Sequence, residues 1–136
     1  MNKKLSRVEV VLIEEYYRAL KRKLYNDLRI KQININGSLC IKNIHNKSYN
    51  YFQWKENGKS KSRYLSDEDA KRLSILIVER NERIEENRVF VREMKCCIRG
   101  VGKKTIDAHY SRYSHELDNI KSLFDNTNPF LAELME

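Results

Sequence analysis

A chain of 136 residues with 40% hydrophobic and 34% charged side chains, four glycines and one proline has the make-up of one helix-rich folded domain and excludes disordered or collagen-like classes. Lysine and arginine number 27 against 19 acidic residues, a formal charge of +8 and a pI of about 9.4, which attracts polyanions: nucleic acid, an anionic membrane surface or an acidic protein. No apolar run approaches the roughly 20 residues that span a bilayer, so no membrane-spanning helix is expected.

Glu9, Glu14 and Glu15 interrupt any signal-peptide core. The cysteines, Cys40, Cys96 and Cys97, are odd in number with two adjacent, which makes neither a disulfide framework nor a tetrahedral metal site. A soluble protein of a reducing cytoplasm is expected.

Ser6 and Glu9 form a capping-box pair, and Val10, Ile13, Tyr17, Leu20 and Leu24 recur behind them at steps of three and four, which predicts a first helix over 6–29. Arg18, Lys21, Arg22 and Lys23 crowd its second half, where cations complement the helix dipole. From Ile33 the period changes to two, and Asn57-Gly58 is the strongest hairpin signal in the chain. This predicts a β-meander over 33–65, with strands at 38–44, 48–56 and 59–65.

A type I′ turn at Asn57-Gly58 pairs Glu56 with Lys59, Trp54 with Lys61, Phe52 with Arg63 and Tyr51 with Tyr64. One face then carries Phe52, Trp54, Lys59, Lys61, Arg63 and Leu65, and the other Tyr49, Tyr51, Gln53, Lys55, Ser60, Ser62 and Tyr64. The turn around His45, Asn46 and Lys47 has no glycine to fix the first strand, and a slip of one residue reverses every side chain. With Asn46-Lys47 as the loop, Leu39 and Ile41 join Phe52 and Trp54 and make that face the core; the opposite assignment stays open.

Ser66 with Asp69, and Asp67 and Glu68 in the first turn, opens a long helix over 67–98. Its stripe of Ala70, Leu73, Ile77, Ile84, Val91, Met94 and Ile98 is interrupted by Arg80 and Asn87. At about 45 Å it exceeds what a small domain covers. A homodimer through the 67–98 helix, with Arg80 and Asn87 setting register, and packing on the first and third helices are both open.

Gly100-Val101-Gly102 breaks this helix, and Thr105 caps another over 105–125 that bears Ile106, His109 or Tyr110, Tyr113, Leu117, Ile120 and Phe124. The stretch 126–128 ends it. Asn128 as N-cap and Pro129 as first residue begin a short helix over 129–135 with Phe130, Leu131, Leu134 and Met135. The expected class is α+β: a three-stranded antiparallel sheet flanked by three long amphipathic helices, order α-β-β-β-α-α with a short C-terminal helix, in a single domain 1–136.

Function is read first from the hairpin. Phe52 and Trp54 interleaved with Lys59, Lys61 and Arg63 offer rings on which bases stack and cations that displace counterions. A three-stranded sheet also enters a major groove, where Gln53 or Arg63 meets base edges. Aromatics on a small sheet more often form its core, which is the competing reading of Trp54.

Lys103 and Lys104, between the glycines of 100–102 and a helix, are a second phosphate candidate, without P-loop spacing and with a plain interhelical turn as the simpler account. His109 and His115 stand six apart and no thiols or acids complete a site, so neither metal nor cofactor is expected. Asp107, Glu116 and Asp118 are what helix surfaces routinely carry, and Cys96-Cys97 reads as buried or idle.

The order strand, strand, Asn-Gly turn, strand, capped helix, carried by Gly37-Ser38-Leu39, Tyr49-Asn50-Tyr51-Phe52-Gln53-Trp54 and Asn57 through Leu65, resembles the small βββα DNA-binding domains at the N-termini of tyrosine integrases. It also resembles uncharacterised proteins of Gram-positive bacterial mobile elements and phages. The resemblance covers under a quarter of the chain and implies that Lys59, Lys61 and Arg63 lie against DNA; the long flanking helices depart from it. The expected function is non-enzymatic nucleic-acid binding, DNA ahead of RNA, in an accessory or regulatory protein. The alternative is a stoichiometric inhibitor or adaptor of anti-defence type that acts on a protein target, with an enzyme third.

Overall fold

A computed structural model describes residues 4–33, 35–124 and 128–134. The elements are α1 (Arg7–Gln32), β1 (Gly37–Ile44), β2 (Lys47–Glu56), β3 (Lys59–Leu65), α2 (Asp67–Val101), α3 (Lys103–Ala108), α4 (Tyr110–Ser122) and α5 (Pro129–Leu134). The class is α+β as expected, with the 105–125 helix divided in two. Contacts divide the chain into two compact units, Met1–Gln32 with Arg83–Thr127, and Ile33–Glu82 with Asn128–Glu136. Expected features at 125–127 and at Met135 lie outside the described residues. Among the described residues no helix is long and apolar enough to cross a membrane.

In the helical unit, α1 opens on the capping box: Glu9 N donates to Ser6 Oγ at 3.1 Å and Ser6 N to Glu9 Oε1 at 3.2 Å. Its apolar face buries Ile13, Tyr16 and Tyr17 against Cys97 and Ile106, with Leu20, Met94, Ile98 and Tyr113 around them. Tyr17 stacks on Tyr113 at 4.1 Å and donates its hydroxyl proton to the carbonyl of Ile106. The break between α2 and α3 sits at Gly102 alone, whose φ of 90° suits a residue without Cβ, while Gly100 and Val101 remain helical. The helix therefore begins at Lys103, ahead of Thr105, and it stops at His109, whose Nδ1 bonds the Thr105 carbonyl at 2.8 Å.

Asn87, half-buried, is tied to α1 within this unit. Buried Asn26 donates to Asn87 Oδ1 at 3.1 Å and accepts from Arg83 at 2.8 Å, and Asn87 donates in turn to Asp27 at 2.9 Å. A buried amide is costly unless paired, so this chain fixes how α1 and the second half of α2 are aligned.

The sheet unit has strand order β1-β2-β3, all antiparallel. The Asn57-Gly58 hairpin has the expected register. The first loop is His45-Asn46 rather than Asn46-Lys47, with φ of 51° and 64°, the positive pair that a type I′ turn requires. Leu39 consequently faces Phe52 and Ile41 faces Asn50. The pairing differs by two residues from that of an Asn46-Lys47 loop, which preserves the faces.

Phe52, Leu65, Ile33 and Ile35 pack on Ala70 and Leu73 of α2 and on Leu131 and Leu134 of α5, so the tyrosines are outside. Ser66 Oγ caps α2 through Asp69 N at 3.1 Å, and Asn128 Oδ1 caps α5 through Phe130 N at 3.0 Å. Arg80 NH1 donates to the Ile35 carbonyl at 3.1 Å, so both polar interruptions of the long helix have partners within the chain.

Burial, reinforced by Tyr16 and Asp107, pushes the Tyr17 phenol up from its ordinary 10.0 to about 12. The folded chain holds this proton where the unfolded chain releases it, so the stabilisation is complete below the unfolded pKa and is lost as pH rises through the folded value. A tyrosinate absorbance titration should show one of the eight tyrosines ionising near 12, a step absent in Tyr17→Phe, with about 1 kcal/mol of stability lost at neutral pH. Uniform ionisation near 10 would contradict it.

Candidate nucleic-acid interface

Strand alternation assigns each hairpin side chain to a face, and the core decides which face is covered. Phe52, expected to meet bases, is 1% exposed and stacks on Trp54 with centroids 5.3 Å apart. It is a core residue and offers no stacking surface. Trp54 is half-buried against the same core.

The three cations expected beside them share this core-facing side and project from its rim. Lys61 pairs with Glu56 at 3.1 Å. Hydrogen bonds from Lys61 and then Trp54 hold the Glu56 carboxyl below its ordinary value. Arg63 NH1 donates to the carbonyls of Glu133 at 3.0 Å and Leu134 at 3.2 Å, which closes the last turn of α5. Lys59 is exposed without an acidic partner among the described residues. The expected trio is thus not one free cationic ribbon.

Lys103 and Lys104 belong to the helical unit. Lys103 pairs with Asp107 at 3.3 Å and lies over the Tyr16 ring, and the Asp107 bond raises its pKa. Lys104 is exposed. Among the described residues no group of three or more His, Cys, Asp or Glu could hold a metal.

The opposite face of the sheet is open. Alternation places Ser38, Cys40, Lys42 and Ile44 of β1, Lys47, Tyr49, Tyr51, Gln53 and Lys55 of β2, and Ser60, Ser62 and Tyr64 of β3 upon it. No acidic residue is among them. Tyr64 is 58% exposed and meets Tyr51 and Tyr49 edge-on at 5.9 and 6.2 Å. The Lys42 ammonium stands 4.6 Å from the Tyr51 ring centroid, and a cleft of about 580 Å³ at this end of the sheet is lined by Lys42, Gln53 and Lys55 of this face and by Gly37, Trp54 and Lys61 of the other.

Lys47 and Lys55 are exposed without an acidic partner among the described residues. This arrangement offers aromatic rings, amide and hydroxyl hydrogen-bonding groups and unopposed positive charge on one face of a sheet. It has no nucleophile, base and orienting acid in mutual reach. Its signal in the sequence is the same two-residue period that nominated the hairpin, with acids missing from one of the two phases.

Residues 8–74 match a family model described as a domain of unknown function, DUF6788. That is 67 of the 136 residues, and the matched stretch spans α1 from its second residue, the whole sheet and the start of α2. No curated protein and no solved structure matches the chain.

Because its guanidinium is engaged with the end of α5, Arg63→Ala should act on folding. Chemical denaturation should show a loss of about 1–2 kcal/mol. An unchanged unfolding midpoint would contradict it.

Proposed function

We propose that this protein binds nucleic acid without catalysing a reaction, as an accessory or regulatory factor, through the open tyrosine and lysine face of its sheet. The observation that carries the reading is the composition of that face: Lys42, Lys47 and Lys55 around Tyr49, Tyr51, Tyr64 and Gln53, with no acid. Lysines that contact phosphates release condensed counterions, which supplies sequence-independent affinity. Gln53, central among the polar side chains, has the amide geometry that pairs with an adenine edge. The tyrosines add apolar contact with little conformational entropy to lose.

Duplex DNA is favoured over RNA on shape. Three strands are about 10 Å across and the B-form major groove is about 12 Å wide, whereas the A-form major groove is too narrow for side chains to read. Three free thiols, with Cys40 on the proposed face, suit a reducing cytoplasm.

The test is affinity for mixed duplex DNA, single-stranded DNA and RNA across a salt series, for the wild type and for Lys42→Ala, Lys47→Ala and Lys55→Ala combined. The wild type should bind duplex most tightly, and the triple variant should have a salt slope shallower by about 2 to 3. Absence of binding to all three at low salt would overturn the reading and favour a protein target.

A further inference from the structure

The second half of α2 carries a feature that the sheet does not explain. Arg88, Arg92, Lys95 and Arg99 follow one another at steps of four, three and four, so at roughly 100° per residue all four lie within about 60° of one another. The buried residues of this segment, Phe90 and Cys97, and Met94, which packs on the cluster of Cys97, project from the other side of the helix. The four basic side chains therefore form a stripe pointing directly away from the core, and all four residues are exposed. Glu82, Glu86 and Glu93 are displaced from the stripe by roughly 110° to 150°.

Arg92 and Lys95 have no acidic partner among the described residues, and the contact of Arg99 is with Cys96 Sγ at 3.5 Å. Glu85 at the edge pairs with Arg88 at 3.1 Å, but their side chains are 66% and 69% exposed, and such a pair exchanges readily for a stronger anion.

We infer that this stripe is a second phosphate-backbone-binding surface, carried by the helical unit and separate from the sheet. It rests on the nucleic-acid reading above but not on the sheet being the contact face. Three of the four cations are arginines, whose planar fork meets a phosphate through two parallel hydrogen bonds. From Arg88 to Arg99 the stripe runs about 16 Å, a length over which one strand of a duplex presents about five phosphates. An anionic membrane is the poorer fit, because an interfacial helix needs an apolar face free to enter the lipid, and here that face is in the core.

The experiment compares duplex DNA binding across a salt series for three full-length proteins: wild type, the sheet variant Lys42→Ala/Lys47→Ala/Lys55→Ala, and a stripe variant with Arg88, Arg92, Lys95 and Arg99 each changed to Gln, which keeps helix propensity. Arg92→Gln/Lys95→Gln, at two positions without an acidic partner among the described residues, serves as a second stripe variant that leaves the contacts of Arg88 with Glu85 and of Arg99 with Cys96 in place.

The full stripe variant should have a salt slope shallower by about 3 to 4 and the double variant one shallower by about 2. Wild-type slope and affinity in both stripe variants would overturn the inference and leave the sheet reading standing. Loss in the stripe variants with no effect in the sheet variant would uphold the stripe and remove the sheet. A wild type that binds no duplex at about 50 mM salt would remove both. Poly-glutamate that competes with duplex as strongly as an unrelated duplex does would overturn the claim that the stripe recognises phosphate.

Discussion

The sheet unit depends on the close approach of β1 to the Phe52 ring. A Cβ on Gly37 would stand 2.3 Å from the Gln53 carbonyl and 2.7 Å from the Phe52 ring, so only glycine allows the first strand to begin where it does. With that end placed and the two-residue turn at His45-Asn46 closing the other, β1 has one register, and parity does the rest. Sliding β1 by one residue would remove Leu39 from the side of Phe52 and bring Ser38 and Cys40 to it. Leaving a Leu-sized side chain exposed instead of buried costs roughly 1.5–3 kcal/mol. The open face is a consequence of the same rule. Every residue displaced from the core phase of the sheet belongs to the phase facing water, and there the chain places tyrosines, lysines and hydroxyls.

Much of this was legible in the residues. The capping box at Ser6 and Glu9, the Asn57-Gly58 turn, the Ser66 cap and the Asn128-Pro129 start are local chemistry, and local chemistry can be read from one sequence. The length of the third helix was not, because its break at His109 uses a side-chain bond back to Thr105 that any histidine could or could not make. The sequence leaves the position of the first turn within 45–47 open for a related reason. Asn46 tolerates positive φ, but nothing local marks His45 as its companion.

The site was harder than the fold. Alternation sorted the hairpin into two faces correctly, yet it contains no statement about which face a distant helix will cover. Phe52, which the hairpin pattern offers to a ligand and to the core alike, belongs to the core. Arg63, which shares its face, is engaged by carbonyls 70 and 71 residues further along the chain. The polar breaks in the long helix show the same limitation, since Asn87 and Arg80 answer to Asn26 and to the Ile35 carbonyl, contacts that no helical period contains.

Many cations have an acid within reach, as in the pairs of Arg18 with Glu15, Lys23 with Asp27, Arg72 with Asp69 and Lys103 with Asp107. Part of the excess that gives the chain its +8 lies on the open sheet face and along the outer side of α2, and exposed Lys31, Lys59, Lys71 and Lys121 carry more of it elsewhere. Such local excess, more than net charge, determines where a polyanion settles. The most direct measurement is a map of backbone amide chemical shifts as a short DNA duplex is added. The sheet amides that shift should cluster around Lys42, Tyr49, Tyr51, Gln53 and Tyr64. Shifts confined to the rim around Lys59, Lys61 and Arg63, or none in the sheet, would contradict it.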